Sequence, residues 1–418
     1  MSFLETLPRE VLTQIISYLH DQPIEFPQPR RKHEIFDWNE RKYLGSLRSV
    51  NSNFYELITP IFFRHMQFSI ERDVQPYRLG WLSEEPVLQN LIHFLEFRFE
   101  FSTVEYESED EDTLPRCSNL EILKLDLDSG RYASGISNLQ FERWVQDAQD
   151  LFRSFCMAAY GSGLGKLEEL FLHLPISRPS QSLLEGASEA ESAATSALFK
   201  QLKRLTLFLA ITDDDEALDE FAEPPDEFAH NLVSCTYLQE LLHLAPNLDQ
   251  LVIRGMDDPP LTVTPSTLPH CHLRLLKLCN IFIAGETIMA VIKRCKSLED
   301  VNLRNVYLLS GTWERVLTDL SKTSIIAFHI QFCGYAVTSD DSELEDLLFE
   351  NFHITTDWIE DLKACESVFL QVPGNLRERY GINFDEVAYK AEKPTQTAAK
   401  LRHYFEGILM KMEASKGG

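Results

Sequence analysis

The chain has 418 residues, which is more than one compact core usually holds and predicts two or three domains, or one domain with an elongated repeat array. Hydrophobic residues make up 44% and charged residues 25%, so the composition excludes a fibrous or broadly disordered protein. The 65 acidic and 39 basic residues give a formal net charge of −26, which argues against nucleic acids and anionic membranes as partners.

The amino terminus and the cysteines indicate a compartment. Residues 1–5 include no basic start followed by an apolar run, so no export signal is visible. The eight cysteines are scattered without CxxC pairs, which is typical of reduced, buried thiols and not of a disulfide framework. We therefore expect a protein of the cytoplasm or the nucleus.

Two apolar stripes at helical spacing open the chain. The first covers residues 7–19 and begins with a Leu-Pro pair, where proline's missing N–H is harmless to a helix. The second covers residues 44–58 and is separated from the first by a proline-rich, charged insert at about 21–41. From periodicity alone, these stripes either pack against the rest of the chain or bind a partner.

The same two segments resemble a known family. The stretches LPREVLTQIISYL and LGSLRSVNSNFYELITPIFFRHMQF are similar to the F-box of fungal F-box proteins, a resemblance that covers residues 4–70. Two features depart from the family pattern: the insert at 21–41 is long, and Asn51 stands where many members carry cysteine. The resemblance implies docking on the Skp-type adaptor of cullin–RING ubiquitin ligases. The positions it implies for adaptor contact or for the module core, two groups that the sequence does not separate, are Leu7, Pro8, Ile15, Ile16, Leu19, Leu47, Val50, Phe54 and Leu57.

A leucine pattern recurs through the remainder of the chain. The unit L-x-x-L-x-L predicts a short strand, and apolar stripes at 288–295 and 316–320 predict helices between units. The last three spacings between units are 25, 25 and 27 residues, as in leucine-rich-repeat proteins, which the segment resembles. The alternative is an ordinary α/β domain with leucine-rich strands. The units, including looser first and last copies, begin at Ile92, Leu120, Leu167, Leu202, Leu248, Leu273, Leu298 and Ile325.

Acidic insertions and a different carboxyl-terminal pattern complete the predicted organisation. Acidic runs at 105–112, 213–227 and 339–346 are typical of solvated loops, and helical stripes replace the repeat after about residue 335. We therefore predict an α/β protein in three parts. They are an N-terminal helical F-box-like module at 1–70, an irregular leucine-rich-repeat solenoid with acidic loop insertions at 71–335, and a helical C-terminal cap at 336–418.

Two segments suggest chemistry but do not support it. The glycine-rich stretch 161–167 lacks the first glycine and the Ser/Thr of a phosphate-binding loop, and it precedes a predicted strand instead of a helix. His270, Cys271 and His272 are adjacent, so on a strand their side chains point to opposite faces and cannot share one metal ion. We therefore expect a protein that is not an enzyme and that needs no cofactor and no metal.

A binding surface is predicted on the strands. Residues between the leucines of each unit share the face opposite the core, and aromatic and arginine side chains are common anchors of interfaces. Such a face could hold an acidic or phosphorylated segment through charge-assisted hydrogen bonds, or it could be merely solvated. The tentative substrate-binding residues are Phe171, Phe208, Arg254, Lys277 and Arg304.

Together these patterns predict a non-catalytic substrate-recognition subunit of an SCF-type ubiquitin ligase. Its partners would be a Skp-type adaptor, the cullin reached through that adaptor, and a protein substrate that the sequence does not identify. The alternative is a leucine-rich-repeat scaffold, or an adaptor-bound regulator, without any role in ubiquitination.

Overall fold

The fold is taken from a computed structural model, and the chain divides into two compact units. The first comprises residues 1–175 and 186–202, and the second comprises residues 176–185 and 203–418. The residues that the structure describes are 11–12, 44–50, 52–71, 85–100, 117–127, 138–161, 165–176, 187–211, 238–255, 261–263, 272–331, 333–335, 363–365, 367–368, 371–372, 375 and 378.

The first unit contains four strands that pair in chain order. All three of these pairings are parallel. Parallel neighbours need crossover connections, and the longest described helix, α3, lies in the connection between β3 and β4. In chain order the elements are α1 (Ser52–Phe62), β1 (His65–Glu71), α2 (Pro86–Gln89), β2 (Phe94–Glu100), β3 (Ile122–Asp126), α3 (Asn138–Gly161), β4 (Glu169–Ile176) and α4 (Glu189–Gln201).

The second unit continues the alternation. Strands β5, β6, β8, β9 and β10 pair in that order, again all parallel, while β7 and β11 pair with the later halves of β8 and β9. The elements are β5 (Arg204–Ile211), β6 (Gln250–Arg254), β7 (Leu261–Val263), β8 (Leu275–Ala284), α5 (Gly285–Arg294), β9 (Asp300–Ser310), α6 (Trp313–Leu320), β10 (Ala327–Gln331) and β11 (Gly334–Tyr335).

The leucines of the repeated unit set the strand register. Leu251 lies opposite Leu276, which lies opposite Val301, and the residues two positions later align in the same way. Leu251, Leu276 and Val301 are all at most 1% exposed. Since successive strand residues point to opposite faces, the alternate positions form a second face that carries the polar side chains. The candidate binding residues lie on this second face.

Two asparagines turn the chain within β8 and β9. Asn280 and Asn305 have φ values of 54° and 51°, a left-handed conformation that asparagine tolerates better than most residues. The Asn305 side-chain amide donates to Asn280 Oδ1 at 2.7 Å, and that of Asn280 donates to the Gly255 carbonyl at 3.3 Å. The side chains thereby link equivalent turns on three neighbouring strands.

The predicted architecture of a helical F-box-like module, a leucine-rich-repeat solenoid and a helical cap is wrong. The structure is a parallel α/β sheet arrangement, and its first strand already lies in the N-terminal segment. Helix α1 ends at Phe62 and β1 begins at His65, so the described part of the segment is not a purely helical module. The helices also do not repeat, because α3, α4, α5 and α6 have 24, 13, 10 and 8 residues. This description agrees with the alternative that the sequence left open, an α/β domain with leucine-rich strands.

Helix α4 begins with a side-chain cap. The stretch around residues 177–196 is rich in Ser, Ala and Glu, and residues 189–201 are helical. Ser188 and Glu191 form a capping box: Glu191 N donates to Ser188 Oγ at 3.2 Å, and Ser188 N donates to Glu191 Oε2 at 2.6 Å. This Ser-x-x-Glu signal is visible in the sequence.

Several predictions fall on parts of the chain that the structure does not describe. They include the acidic runs, the insert at 21–41, the His-Cys pair at 270–271 and most of the expected C-terminal cap. Of that last region, Asn375 is buried and donates to the carbonyls of Thr323 and Ile325 at 3.1 and 2.7 Å. The boundaries proposed near residues 70 and 335 stay predictions. Among the described helices, none is both long and apolar enough to cross a bilayer.

Candidate functional site

The N-terminal helices close over a small apolar cluster. Leu12, Leu44, Phe54 and Ile58 are buried together, at most 4% exposed, with other apolar side chains packed around them. Phe54 and Ile58 lie four residues apart on α1 and therefore share one helix face. Of the predicted adaptor positions, Phe54 is thus a core residue and has no free surface to offer.

Exposed apolar side chains accompany this closed cluster. Val50 and Tyr55, just before and within α1, are 49% and 50% exposed, and Val11 is 37% exposed. A small pocket in the same region is lined by Leu12, Asn53, Glu56 and Leu57, and we call it the α1 groove. Of the remaining predicted positions, Leu47 and Leu57 are half-buried against the cluster. The other five, Leu7, Pro8, Ile15, Ile16 and Leu19, lie outside the described residues.

Arg48 fixes this surface, a role that the sequence does not suggest. Its guanidinium lies 4.4 Å from the centre of the Tyr55 ring and 5.0 Å from that of Phe63. Its Nε donates to Thr59 Oγ1 at 3.0 Å. A cation stacked between two rings and hydrogen-bonded to the helix holds Tyr55 in place without burying it. Helical spacing on α1 relates Tyr55 to Thr59, but nothing in the sequence places Arg48 beside them.

Four of the five tentative substrate-binding residues share one strand face of the second unit. Phe208, Arg254, Cys279 and Arg304 are aligned across β5, β6, β8 and β9, and Lys277 is two residues before Cys279. Arg254 and Arg304 are exposed, while Phe208 and Lys277 are half-buried. We call Phe208, Arg254, Lys277 and Arg304 the basic face. The fifth residue, Phe171, lies in the first unit.

The basic face has an aromatic residue at one end and a buried cysteine at its centre. The Arg254 guanidinium lies over the Phe208 ring, 4.9 Å from its centre. Between Arg254 and Arg304 stands Cys279, whose short side chain is buried. An arginine stacked on a ring still presents its N–H groups sideways, so both arginines can donate hydrogen bonds to a bound anion.

The equivalent strand face of the first unit carries an ionic network that the sequence analysis does not predict. Glu96 is only 2% exposed, and its carboxylate lies 2.8 Å from Lys124 Nζ and 3.7 Å from His65 Nε2. Arg98 lies between Glu96 and Asp126, at 3.4 and 3.6 Å. The sequence signal for this network is that opposite charges stand at positions that face each other on neighbouring strands. This signal can be recognised only when the strand pairing is already known.

The network keeps Glu96 ionised. Burial alone would raise the pKa of Glu96, but hydrogen bonds and charges from His65 and Lys124 outweigh burial and lower the pKa from 4.5 to about 2. A carboxylate with so low a pKa has no proton to donate near neutral pH, so it cannot act as a general acid. Asp126 is likewise engaged, with His173 Nδ1 at 2.8 Å. The arrangement is that of a charge network in which Glu96 and Asp126 each lie beside a basic side chain and a histidine.

Burial also changes the chemistry of three thiols. It raises the pKa of the Cys117, Cys156 and Cys333 thiols to about 12, so these thiols are protonated at neutral pH and are poor nucleophiles. Within the described ranges, no group of three or more His, Cys, Asp or Glu side chains is placed to hold a metal ion.

Comparison with known proteins does not identify a family. No protein-family model matches the chain, and no curated protein matches it. Among solved structures, one similar chain is assigned to an alpha-L-fucosidase from Bacteroides thetaiotaomicron VPI-5482. It is 11% identical, the match covers 74% of this chain and 95% of that one, and the TM-score is 0.21. At that score, neither a fold nor an activity carries over to this chain.

Proposed function

We propose that the chain is a non-catalytic substrate-recognition subunit of a cullin–RING ubiquitin ligase of the SCF type. The surface around the α1 groove would bind a Skp-type adaptor, and a strand face would bind the protein to be ubiquitinated. The observation that carries the proposal is the exposure of Val50, Tyr55 and Val11 on the chain segments that also supply the α1 groove and the closed apolar cluster. Apolar side chains left uncovered beside a completed core are typical of docking surfaces.

The sequence adds a second line of support. Residues 4–70 resemble the fungal F-box, whose helices dock on Skp-type adaptors through apolar side chains. In such an assembly the chain performs no bond chemistry. It holds a target lysine near a charged conjugating enzyme and so raises the effective concentration of one for the other.

The structure divides the predicted adaptor positions into two groups. Leu47, Val50 and Leu57 reach the surface in whole or in part, whereas Phe54 lies in the cluster beneath. Only the surface group should be used to test docking, because truncating Phe54 leaves a cavity in the core and unfolds the helices around it. Tyr55, which the sequence analysis does not single out, joins the surface group.

The test is co-purification of the full chain with a Skp-type adaptor. The double variant Val50→Glu, Tyr55→Glu should lose at least tenfold of the adaptor recovered, because two charges would have to be desolvated in an apolar interface. The matched control is Val87→Glu, which charges another exposed valine, 71% exposed, in the same unit. Equal recovery of the adaptor with wild type and the double variant contradicts the docking surface.

A binding protein without a role in ubiquitination is the competing function. Such a protein would have the same exposed surfaces, but the partner that it binds would not be ubiquitinated. Partners recovered with the full chain should show a longer half-life when cullin activity is blocked. Unchanged turnover of every recovered partner would favour the competing function.

A further inference from the structure

We propose that the basic face binds an extended acidic segment of a partner protein, with two carboxylates three residues apart, one held by Arg254 and the other by Arg304. The inference names the class of partner that the proposed receptor would bind. It rests on the proposed function only for the ubiquitination that would follow binding. Binding itself requires no adaptor.

The basic face differs in its described ion pairs from the equivalent face of the first unit. In the first unit, Lys124 and Arg98 pair with the buried Glu96, and Arg98 also pairs with Asp126. Among the described residues of the second unit, the ion pairs are those of Arg274 with Glu299 and of Lys293 and Lys322 with Asp319, and none involves the basic face. Within the described residues, Arg254, Lys277 and Arg304 therefore form a local cluster of positive charge in a chain with a net charge of −26.

One carboxylate, that of Asp300, belongs to the described strand residues of this face. It lies at the amino end of β9, four residues before Arg304 and diagonal to Lys277. Strand residues rise about 3.3 Å each, so Asp300 lies about 13 Å from Arg304 along the strand. Near the same end, Arg274 is already held by Glu299, with contacts of 2.9 and 3.1 Å. Among the described residues, the positive charge at the carboxyl ends of β6 and β9 is therefore that of Arg254 and Arg304.

The spacing of the two arginines sets the spacing of the ligand's charges. Arg254 and Arg304 are aligned on either side of Cys279, so two strand spacings, about 10 Å, separate their backbones. An extended peptide advances about 3.3 Å per residue, so acidic residues three positions apart match that span. The Phe208 ring, on which Arg254 stacks, offers an apolar contact at one end.

The charge of the whole molecule restricts the ligand to a short acidic segment. A long polyanion such as a nucleic acid would extend beyond the basic face into the negative electrostatic field of the protein. Charges farther apart than about 8 Å are largely screened at physiological salt. A segment with two carboxylates feels mainly the nearby cations. Charge-assisted hydrogen bonds from the two guanidinium groups increase the affinity and fix which carboxylate of the segment lies beside which arginine.

The experiment measures the affinity of the full chain for labelled peptides by fluorescence anisotropy. The probe is a neutral Gly/Ser/Ala peptide with two glutamates three residues apart, and the comparison peptide has the two glutamates adjacent. We expect the spaced peptide to bind at least fivefold more tightly. Arg254→Gln and Arg304→Gln should each weaken its binding about tenfold, consistent with loss of a charge-assisted hydrogen bond. The control Arg315→Gln removes an exposed arginine of α6 in the same unit and should leave the affinity unchanged.

Several results would overturn the inference. One is equal affinity for the spaced and adjacent peptides, and another is an equal loss of affinity with Arg315→Gln. The others are displacement of the spaced peptide by an oligonucleotide of equal charge and no binding of the spaced peptide at low salt. A third peptide replaces one glutamate by phosphoserine and the other by alanine; if it binds as tightly as the spaced peptide, a single phosphate is the ligand and the two-carboxylate assignment fails.

The same variants separate this inference from the ligase proposal. Arg254→Gln and Arg304→Gln should recover the adaptor at wild-type yield. Peptide binding without adaptor recovery leaves the inference standing and removes the ligase role, while the reverse outcome removes the inference alone.

Discussion

Replacing Glu96 by glutamine tests whether the buried charge network stabilises the first unit. The carboxylate is 2% exposed and has Lys124 Nζ at 2.8 Å. Its pKa falls from 4.5 to about 2 on folding, and each pKa unit corresponds to about 1.4 kcal/mol. The ionised carboxylate therefore contributes about 3 kcal/mol to the free energy of unfolding at neutral pH. Glu96→Gln keeps the shape of the side chain but leaves Lys124 without its buried counter-charge, so we expect a loss of that order.

The pH dependence gives the sharper measurement. Because the folded pKa lies below the unfolded one, the stabilisation is complete above about pH 4.5 and is lost as the pH falls towards 2. Urea unfolding followed by far-UV circular dichroism at pH 7 and pH 3 should show a smaller pH-dependent loss for Glu96→Gln than for wild type. Glu189→Gln, which changes an exposed glutamate of the same unit, should behave like wild type. Identical pH dependence for wild type and Glu96→Gln would refute the reasoning.

Two further predictions concern the asparagine turns and the thiols. Asn305→Ala forces alanine into a φ of 51° and removes the 2.7 Å hydrogen bond to Asn280, so it should lower the free energy of unfolding by about 1–3 kcal/mol in urea titrations. Asn305→Gly, which accepts that φ, should lose less; an equal or larger loss for glycine would contradict the role of the backbone. Burial that raises the pKa of Cys156 to about 12 should keep this thiol unlabelled by iodoacetamide at pH 8 in the native protein and fully labelled after unfolding, as read by peptide mapping. Prompt labelling of native Cys156 would show that its surroundings open readily.

The strands could be predicted from the sequence because their signal is local. Every L-x-x-L-x-L unit overlaps a strand, and the step along the chain from Leu251 to Leu276 is also the register offset that pairs β6 with β8. Strand β1 could not be predicted in this way, because its residues follow the second apolar stripe so closely that they read as part of a helical module. The continuation of β8 and β9 beyond Asn280 and Asn305 is equally hidden, since a residue with positive φ normally ends a strand.

The candidate site was predicted less completely than the strands. The face shared by Arg254, Lys277 and Arg304 follows from strand alternation alone and could be read from the sequence. The division of the N-terminal positions into core and surface could not, because α1 is apolar on more than one side and only its packing shows that Phe54 faces inwards and Tyr55 outwards. The network at Glu96 depends on which strands are neighbours across 28 residues of chain, which periodicity does not reveal.

The constant register offset between β6, β8 and β9 bears on how this chain can change its length during evolution. Leu251, Leu276 and Val301 occupy one row, so removing or duplicating the whole block 275–299 would bring equivalent positions back into alignment. A residue gained or lost inside a strand would instead turn the leucines after it towards solvent, since side chains alternate with a period of two. The connections between strands are less restricted, because the offset is 28 residues from β2 to β3 and 27 from β9 to β10. Gene segments that encode one whole offset are thus tolerated units of gain and loss in the second unit, whereas single-residue indels inside its strands are not.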